Sequence, residues 1–278
     1  MHQYKALLKK DWQVNWKIML VPAWFLLATY TLTLVVLVSG YIKSGSVISV
    51  AFQTNLQHVD ALIWTLHFSA AIGIGILASI TSMQLMDIIN QDHLKQCEIF
   101  HFSFPISLSK TLGTKLIFVM LGPFLLYLLL AAINCLVMNL ATALLGFSDL
   151  ALSFNALINS IPYVILFFLV FPPLYALFAG IFKKYGPISM LFSLAAIDTM
   201  LMIISKLYGV KQFSIISYYL AILSKPLAVS RAVMSGNISS MGLFSWSHLF
   251  SSDALIRVAI SAVLILITYH FIKRRELA

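Results

Sequence analysis

QDHLKQCEIFHFSFPISLSKTLGTK, Gln91 to Lys115, is a polar and partly aromatic segment set between two long apolar runs. The flanking runs, Leu62 to Met86 and Leu116 to Met138, each exceed the about 20 residues a helix needs to cross about 30 Å of hydrocarbon. The interruption therefore reads as a loop between two membrane spans, and the rest of the chain can be counted outward from it. The same criterion picks out Ile18 to Ser39, Ile158 to Phe182, Pro187 to Leu207 and Ala254 to Phe271. The expected fold is all-α and polytopic, with six transmembrane helices in a single transmembrane domain, residues 1–278.

Composition agrees with that reading. With 61% hydrophobic and 10% charged residues, the chain has too little polar surface for a soluble globule. Basic residues accumulate on the cytoplasmic side of membrane proteins, so their placement sets the topology. With six spans and both ends inside, the inner set is Lys5, Lys9, Lys10, Lys17, Lys95, Lys110, Lys115, Lys183, Lys184, Lys273, Arg274 and Arg275. Only Lys43, Lys206, Lys211, Lys225, Arg231 and Arg257 remain outside or at outer span ends. A multi-pass protein of the cell membrane with both termini in the cytoplasm is expected. The net charge of +9 then reflects this bias and attraction to anionic lipid headgroups; no basic cluster on a soluble domain points to nucleic acid. The first apolar run follows a charged segment and is too long for a signal-peptide core, so it is expected to stay as an anchor.

Before the first span, Tyr4, Leu7, Leu8, Trp12, Val14 and Trp16 cover one broad arc of a helix, while Lys5, Lys9, Lys10, Gln13 and Lys17 lie mostly opposite. This predicts an amphipathic amino-terminal helix in the inner interface. Asp11 and Asn15 intrude on the apolar arc, which points to contact with protein as well as lipid. The longest outer connection, Gly209 to Asp253, holds an apolar run, Phe213 to Leu223, that Lys225 and Pro226 interrupt. Two re-entrant half-helices before the sixth span are expected there, with a surface loop packed on the spans as the alternative.

Within the spans, Ser69, Gly73 and Gly75 give the second span a face on which another helix can approach closely. Pro162, Pro172 and Pro173 are expected to kink or break the fourth. His67 and His270 read as packed or interfacial histidines. Cys97 and Cys135 lie too far apart to pair and lack metal-type spacing, so both are expected to be structural. Asp198 is the one carboxylate in the middle of a span, where a charge is costly. It either lines a transport path or binds a cation, or it pairs with Thr199, a backbone carbonyl or another span.

Enzyme motifs are absent: no H-E-x-x-H, no G-x-S-x-G and no phosphate loop occurs. Asp87, Asp92 and His93 suggest a metal-diphosphate site only weakly, because no second acidic cluster accompanies them. If ATP powers this protein, another chain hydrolyses it.

Leu94, Cys97, His101 and Phe104 fall at helical spacing, Pro105 stops that helix, and Ser107 can cap the next one. A short helix joined rigidly to two spans is a lever. Glu98, then Phe104-Pro105-Ile106-Ser107, then Lys115 resembles the pattern between the second and third spans of ATP-binding-cassette (ABC) exporter permeases of the second type. The six spans, the amino-terminal helix and the broken loop before the last span are similar to the same family. The resemblance implies a cytoplasmic coupling helix, with Leu94, Glu98, Phe100, Phe104, Pro105 and Ser107 as its docking residues. It also implies a separate ABC ATPase subunit carrying ATP and Mg, a second permease chain, identical or related, and no cofactor in this chain. Export of an unspecified substrate is the expected activity; a membrane enzyme acting on a lipid-like substrate and a non-transporting scaffold are the alternatives.

Overall fold

Inside hydrocarbon the backbone has no hydrogen-bond partner but itself, and apolar runs accordingly become helices. The computed structural model describes residues 2–44, 59–85, 108–144, 149–182, 186–209, 214–234 and 244–277, and these are helical almost throughout, with no strand among them. In chain order the elements are α1 (His2–Met19), α2 (Val21–Ser44), α3 (Val59–Leu85), α4 (Leu108–Leu144) and α5 (Leu150–Ile181). They continue with α6 (Gly186–Tyr208), α7 (Ile215–Met234), the short α8 (Phe244–Ser247) with a following 3-10 turn, and α9 (Ser252–Leu277). Five of them, α3, α4, α5, α6 and α9, are long and apolar enough to cross a membrane. The chain is thus an all-helical polytopic membrane protein at the level of length and composition. A sixth apolar helix, α2, has 24 residues with Lys43 as its sole charge.

Each helix starts or stops where local chemistry requires. Asp149 caps α5, its carboxylate accepting from the Leu152 N–H at 2.9 Å. Gly209 follows the last residue of α6 at φ +64°, the left-handed conformation that glycine adopts without a Cβ penalty. The α4 helix begins eight residues before the expected span, directly after Ser107; Ser107 itself lies outside the described residues. The prolines do not interrupt the helices as expected. Helix α5 is continuous through Pro162, Pro172 and Pro173, and α4 through Pro123. Because α5 is buried over most of its length, neighbouring helices hold it together where the proline ring removes a backbone donor.

Helix α5 is the centre of the bundle and packs on α3, α4, α6 and α9. It lies tightly against α3 at Gly75, where a Cβ would collide with the methyl groups of Val164. The expected small-residue face thus holds at Gly75 but not at Gly73, around which a Cβ would meet nothing within 4 Å, nor at exposed Ser69. Aromatic side chains fill the α3–α5 seam. Trp64 stacks on Phe68 at 4.7 Å, and Phe68 meets Tyr163 edge-on at 5.8 Å.

Several polar side chains in and beside this seam are paired to one another. Ser153 lies 2.9 Å from His67 Nε2, accepts from the Asn139 amide and donates to the Asp149 carbonyl. Trp64 donates to Asn155 at 3.0 Å, and Tyr127 meets Ser160 at 2.9 Å. His67 is a packed histidine, as expected. Such interhelical bonds hold spans in register where no hydrophobic drive separates helix from lipid.

Candidate functional site

Two places in the bundle bear on function. The first surrounds the attachment of segment 86–107. Helix α3 ends at the fully buried Leu85, and α4 returns with Leu112 in the same apolar cluster. Met19 of α1, Phe118 and Val119 of α4, Tyr175, Ala176 and Ala179 of α5, and Ile272 of α9 complete it. Ser82 adds a hydrogen bond across the two flanks, donating to the Val119 carbonyl at 2.7 Å. Both flanks of the segment are therefore anchored in a unit that draws on α1, α3, α4, α5 and α9.

Helix α1 belongs to this unit through an unexpected face. The residues it turns toward the bundle are Leu8, Asp11, Asn15, Ile18 and Met19, while Trp12, Val14 and Trp16 are exposed. Asp11 and Asn15 do meet protein, as their intrusion on the apolar arc suggested. Asn15 donates back to the Asp11 carbonyl at 3.0 Å, which satisfies its amide without leaving the helix. The tryptophans face away from the chain, beside exposed Lys9, Lys10 and Lys17.

The docking residues expected from sequence, Leu94, Glu98, Phe100, Phe104, Pro105 and Ser107, lie outside the described residues. So do Cys97 and the alternative site of Asp87, Asp92 and His93. Among the described residues no group of His, Cys, Asp and Glu comes together in a way that could hold a metal ion.

The second place is the start of α7. Asp198, midway along α6, accepts the Ile215 N–H on one oxygen at 2.6 Å and the Ser214 hydroxyl on the other at 2.7 Å. Ser214 in turn accepts from the Ser217 N–H at 3.0 Å. A carboxylate from one helix thus caps another, satisfying the Ile215 N–H directly and holding the Ser214 hydroxyl that accepts from Ser217, at the positive end of the α7 dipole. Of the pairings open for Asp198, the one realised is with a neighbouring helix. Thr199 instead bonds the Ala195 carbonyl.

One to three turns further on, α7 is clasped to α9. Asp253 accepts from Arg257 Nε at 3.0 Å, from Lys225 Nζ at 3.2 Å and from the Tyr218 hydroxyl at 3.5 Å. Arg257, only 5% exposed, lies over the Tyr218 ring at 4.1 Å and donates to the Tyr218 carbonyl at 3.2 Å. Burial is the main cause that raises the Tyr218 hydroxyl above its ordinary pKa, while the Arg257 charge acts in the opposite direction. The hydroxyl is therefore a neutral donor to Asp253.

This clasp corrects the expected break at Lys225-Pro226. Helix α7 runs through Pro226 as one 20-residue helix, and the Lys225 side chain is an ion-pair partner of α9. The sequence held one sign of it: Asp253 and Arg257 are four residues apart at the start of the last apolar run, the spacing of a helical ion pair. Lys225, 28 residues from Asp253, carried no such sign.

No protein-family model, no curated protein and no solved structure matches this chain.

Proposed function

We propose that this chain is the membrane-spanning permease subunit of an ABC exporter, driven by ATP hydrolysis on a separate subunit. In this reading α2, α3, α4, α5, α6 and α9 are the six spans of a cell-membrane protein, both termini are cytoplasmic, and α1 lies at the inner face. Residues 94–104 form the coupling helix, stopped at Pro105, and Glu98, Phe100 and Phe104 dock on an ATPase that holds ATP and Mg. Helix α7 re-enters from the outer side, its amino terminus held by Asp198 midway along α6. A second permease chain, identical or related, completes the path. Helix α6, unburied over its whole apolar window, is the span with most surface to offer it.

The observation that carries this reading is the joint anchoring of Leu85 and Leu112 with Met19, Tyr175, Ala176, Ala179 and Ile272 in one cluster. A partner that displaces segment 86–107 would move four spans and α1 together, because packed interiors shift as units rather than deform continuously. ATP binding on the partner would favour one arrangement through contacts that differ between states.

The test is co-purification from native membranes with mass spectrometry of the associated proteins. An ABC-type ATPase is expected with the wild-type chain and should be lost or strongly depleted with Glu98→Lys and with Phe104→Ala. Equal recovery of the ATPase with all three chains, or its absence from the wild type, contradicts the proposal.

A further inference from the structure

A cavity of about 400 Å³ lies between α2, α3 and α4 and takes no part in the function proposed above. Phe25, Leu26 and Thr29 line it from α2, Gly73 and Leu77 from α3, and Asn134 from α4. Its mouth is between α2 and α3, where Phe25 and Gly73 are exposed and no Cβ at Gly73 would touch anything. The lining runs from Pro22 to Thr29 on one helix and from Ala70 to Leu77 on the other. Seven residues of helix make the trough about 10 Å long. Its volume is more than twice the roughly 150 Å³ that accepts a benzene, and within the range of about 300–1,000 Å³ typical of ligand sites.

One polar group gives this trough a direction. Asn134 is 5% exposed, and its only hydrogen bond among the described residues uses its oxygen, which accepts from the Tyr30 hydroxyl at 2.6 Å. The amide N–H₂ group is left beside the cavity. Tyr30 directly follows Thr29, so this donor sits at the Thr29 end, and the walls from there to Pro22 are apolar except for Thr29. That hydroxyl is already used, donating to the Leu26 carbonyl at 2.7 Å. An amide donor that faces an otherwise apolar trough favours a ligand that can accept from it.

We infer that this trough binds one apolar chain ending in a carbonyl group, with the carbonyl accepting from the Asn134 amide and the chain lying along α2 and α3 toward Pro22. An acyl ester of a bilayer phospholipid and a free fatty acid share that chemistry. The opening between two helices, rather than toward either bundle end, admits a ligand sideways from the membrane.

The test uses the full chain in nanodiscs with two photoactivatable probes in separate arms, a phospholipid with a diazirine in its acyl chain and the corresponding diazirine fatty acid. Labelled peptides are then mapped by mass spectrometry. Labelling is expected within residues 22–29 and 70–77, and the arm that gives it identifies the source. It should fall at least fivefold in Gly73→Leu, whose Cβ meets no atom and whose side chain takes up space at the mouth, and at least threefold in Asn134→Leu. If Asn134→Leu fails to accumulate, Gly73→Leu decides alone. Labelling that follows the exposed surfaces of α6 and α9 instead, or that persists unchanged in Gly73→Leu, overturns the assignment.

Discussion

Asp198 and Ile215, seventeen residues apart, are joined by a 2.6 Å hydrogen bond from the backbone N–H that opens α7 to a carboxylate halfway along α6. The bond turns a costly mid-span charge into a helix cap, and it fixes where α7 begins. Each carboxylate oxygen has a protein donor.

Asp198→Ala should therefore destabilise the fold by about 2–3 kcal/mol, the scale of losing charged hydrogen bonds and a cap, while Asp198→Asn, which keeps an acceptor for Ile215, should cost about half as much. Thermal unfolding in detergent measures both. A wild-type melting temperature in Asp198→Ala would show that the cap contributes nothing to stability.

The α7–α9 clasp makes a second prediction. Asp253→Ala leaves Arg257 buried without its carboxylate, and removing one partner of a buried pair typically costs about 3–5 kcal/mol. The Asp253 side chain is 41% exposed, so water screens part of the interaction and a loss of about 1–3 kcal/mol is expected. Lys225→Met, which removes the more exposed cation, should cost less than about 1 kcal/mol. Chemical denaturation of the three proteins gives the order; a larger loss for Lys225→Met than for Asp253→Ala would contradict the geometry.

The two glycines of α3 separate packing from cavity. Gly75→Ala drives a methyl into Val164 and should destabilise by about 1–3 kcal/mol, the usual cost of overpacking. Gly73→Ala should be neutral or slightly stabilising, since the added methyl meets no atom and alanine favours the helix by up to about 1 kcal/mol. Paired melting curves check the sign of each.

Apolar length alone made the spans legible, because a run of some twenty apolar residues has few alternatives to a helix. Rotation about each helix axis was not legible. Where a helix is apolar all round, as α3 and α5 are, nothing in the order of residues says which side meets a neighbour, and so Gly73 and Gly75 looked equivalent. Helix α1 shows the opposite case. Its polar residues break the pattern, and Asp11 and Asn15 did mark the face that meets protein. Of the kink or break expected at the α5 prolines, the break does not occur, because neighbouring helices support the turns where the proline ring removes a donor. The partners of Asp198, and Lys225 and Tyr218 as partners of Asp253, could not be read at all: each lies outside the carboxylate's own helix, and chain spacing carries no information about such contacts. The segment from Leu94 to Phe104 was read from spacing and resemblance, and its flanks, Leu85 and Leu112, were found in one core that no local pattern announces.

The most direct test of a permease driven through segment 86–107 is photo-crosslinking from position 100 in native membranes, with benzoylphenylalanine in place of Phe100. The account predicts a covalent adduct with an ABC-type ATPase, with a yield that changes when ATP is added and no such adduct from the same probe at exposed Leu140 of α4. Adducts with lipid alone, or an ATPase adduct of equal yield from both positions, would contradict it.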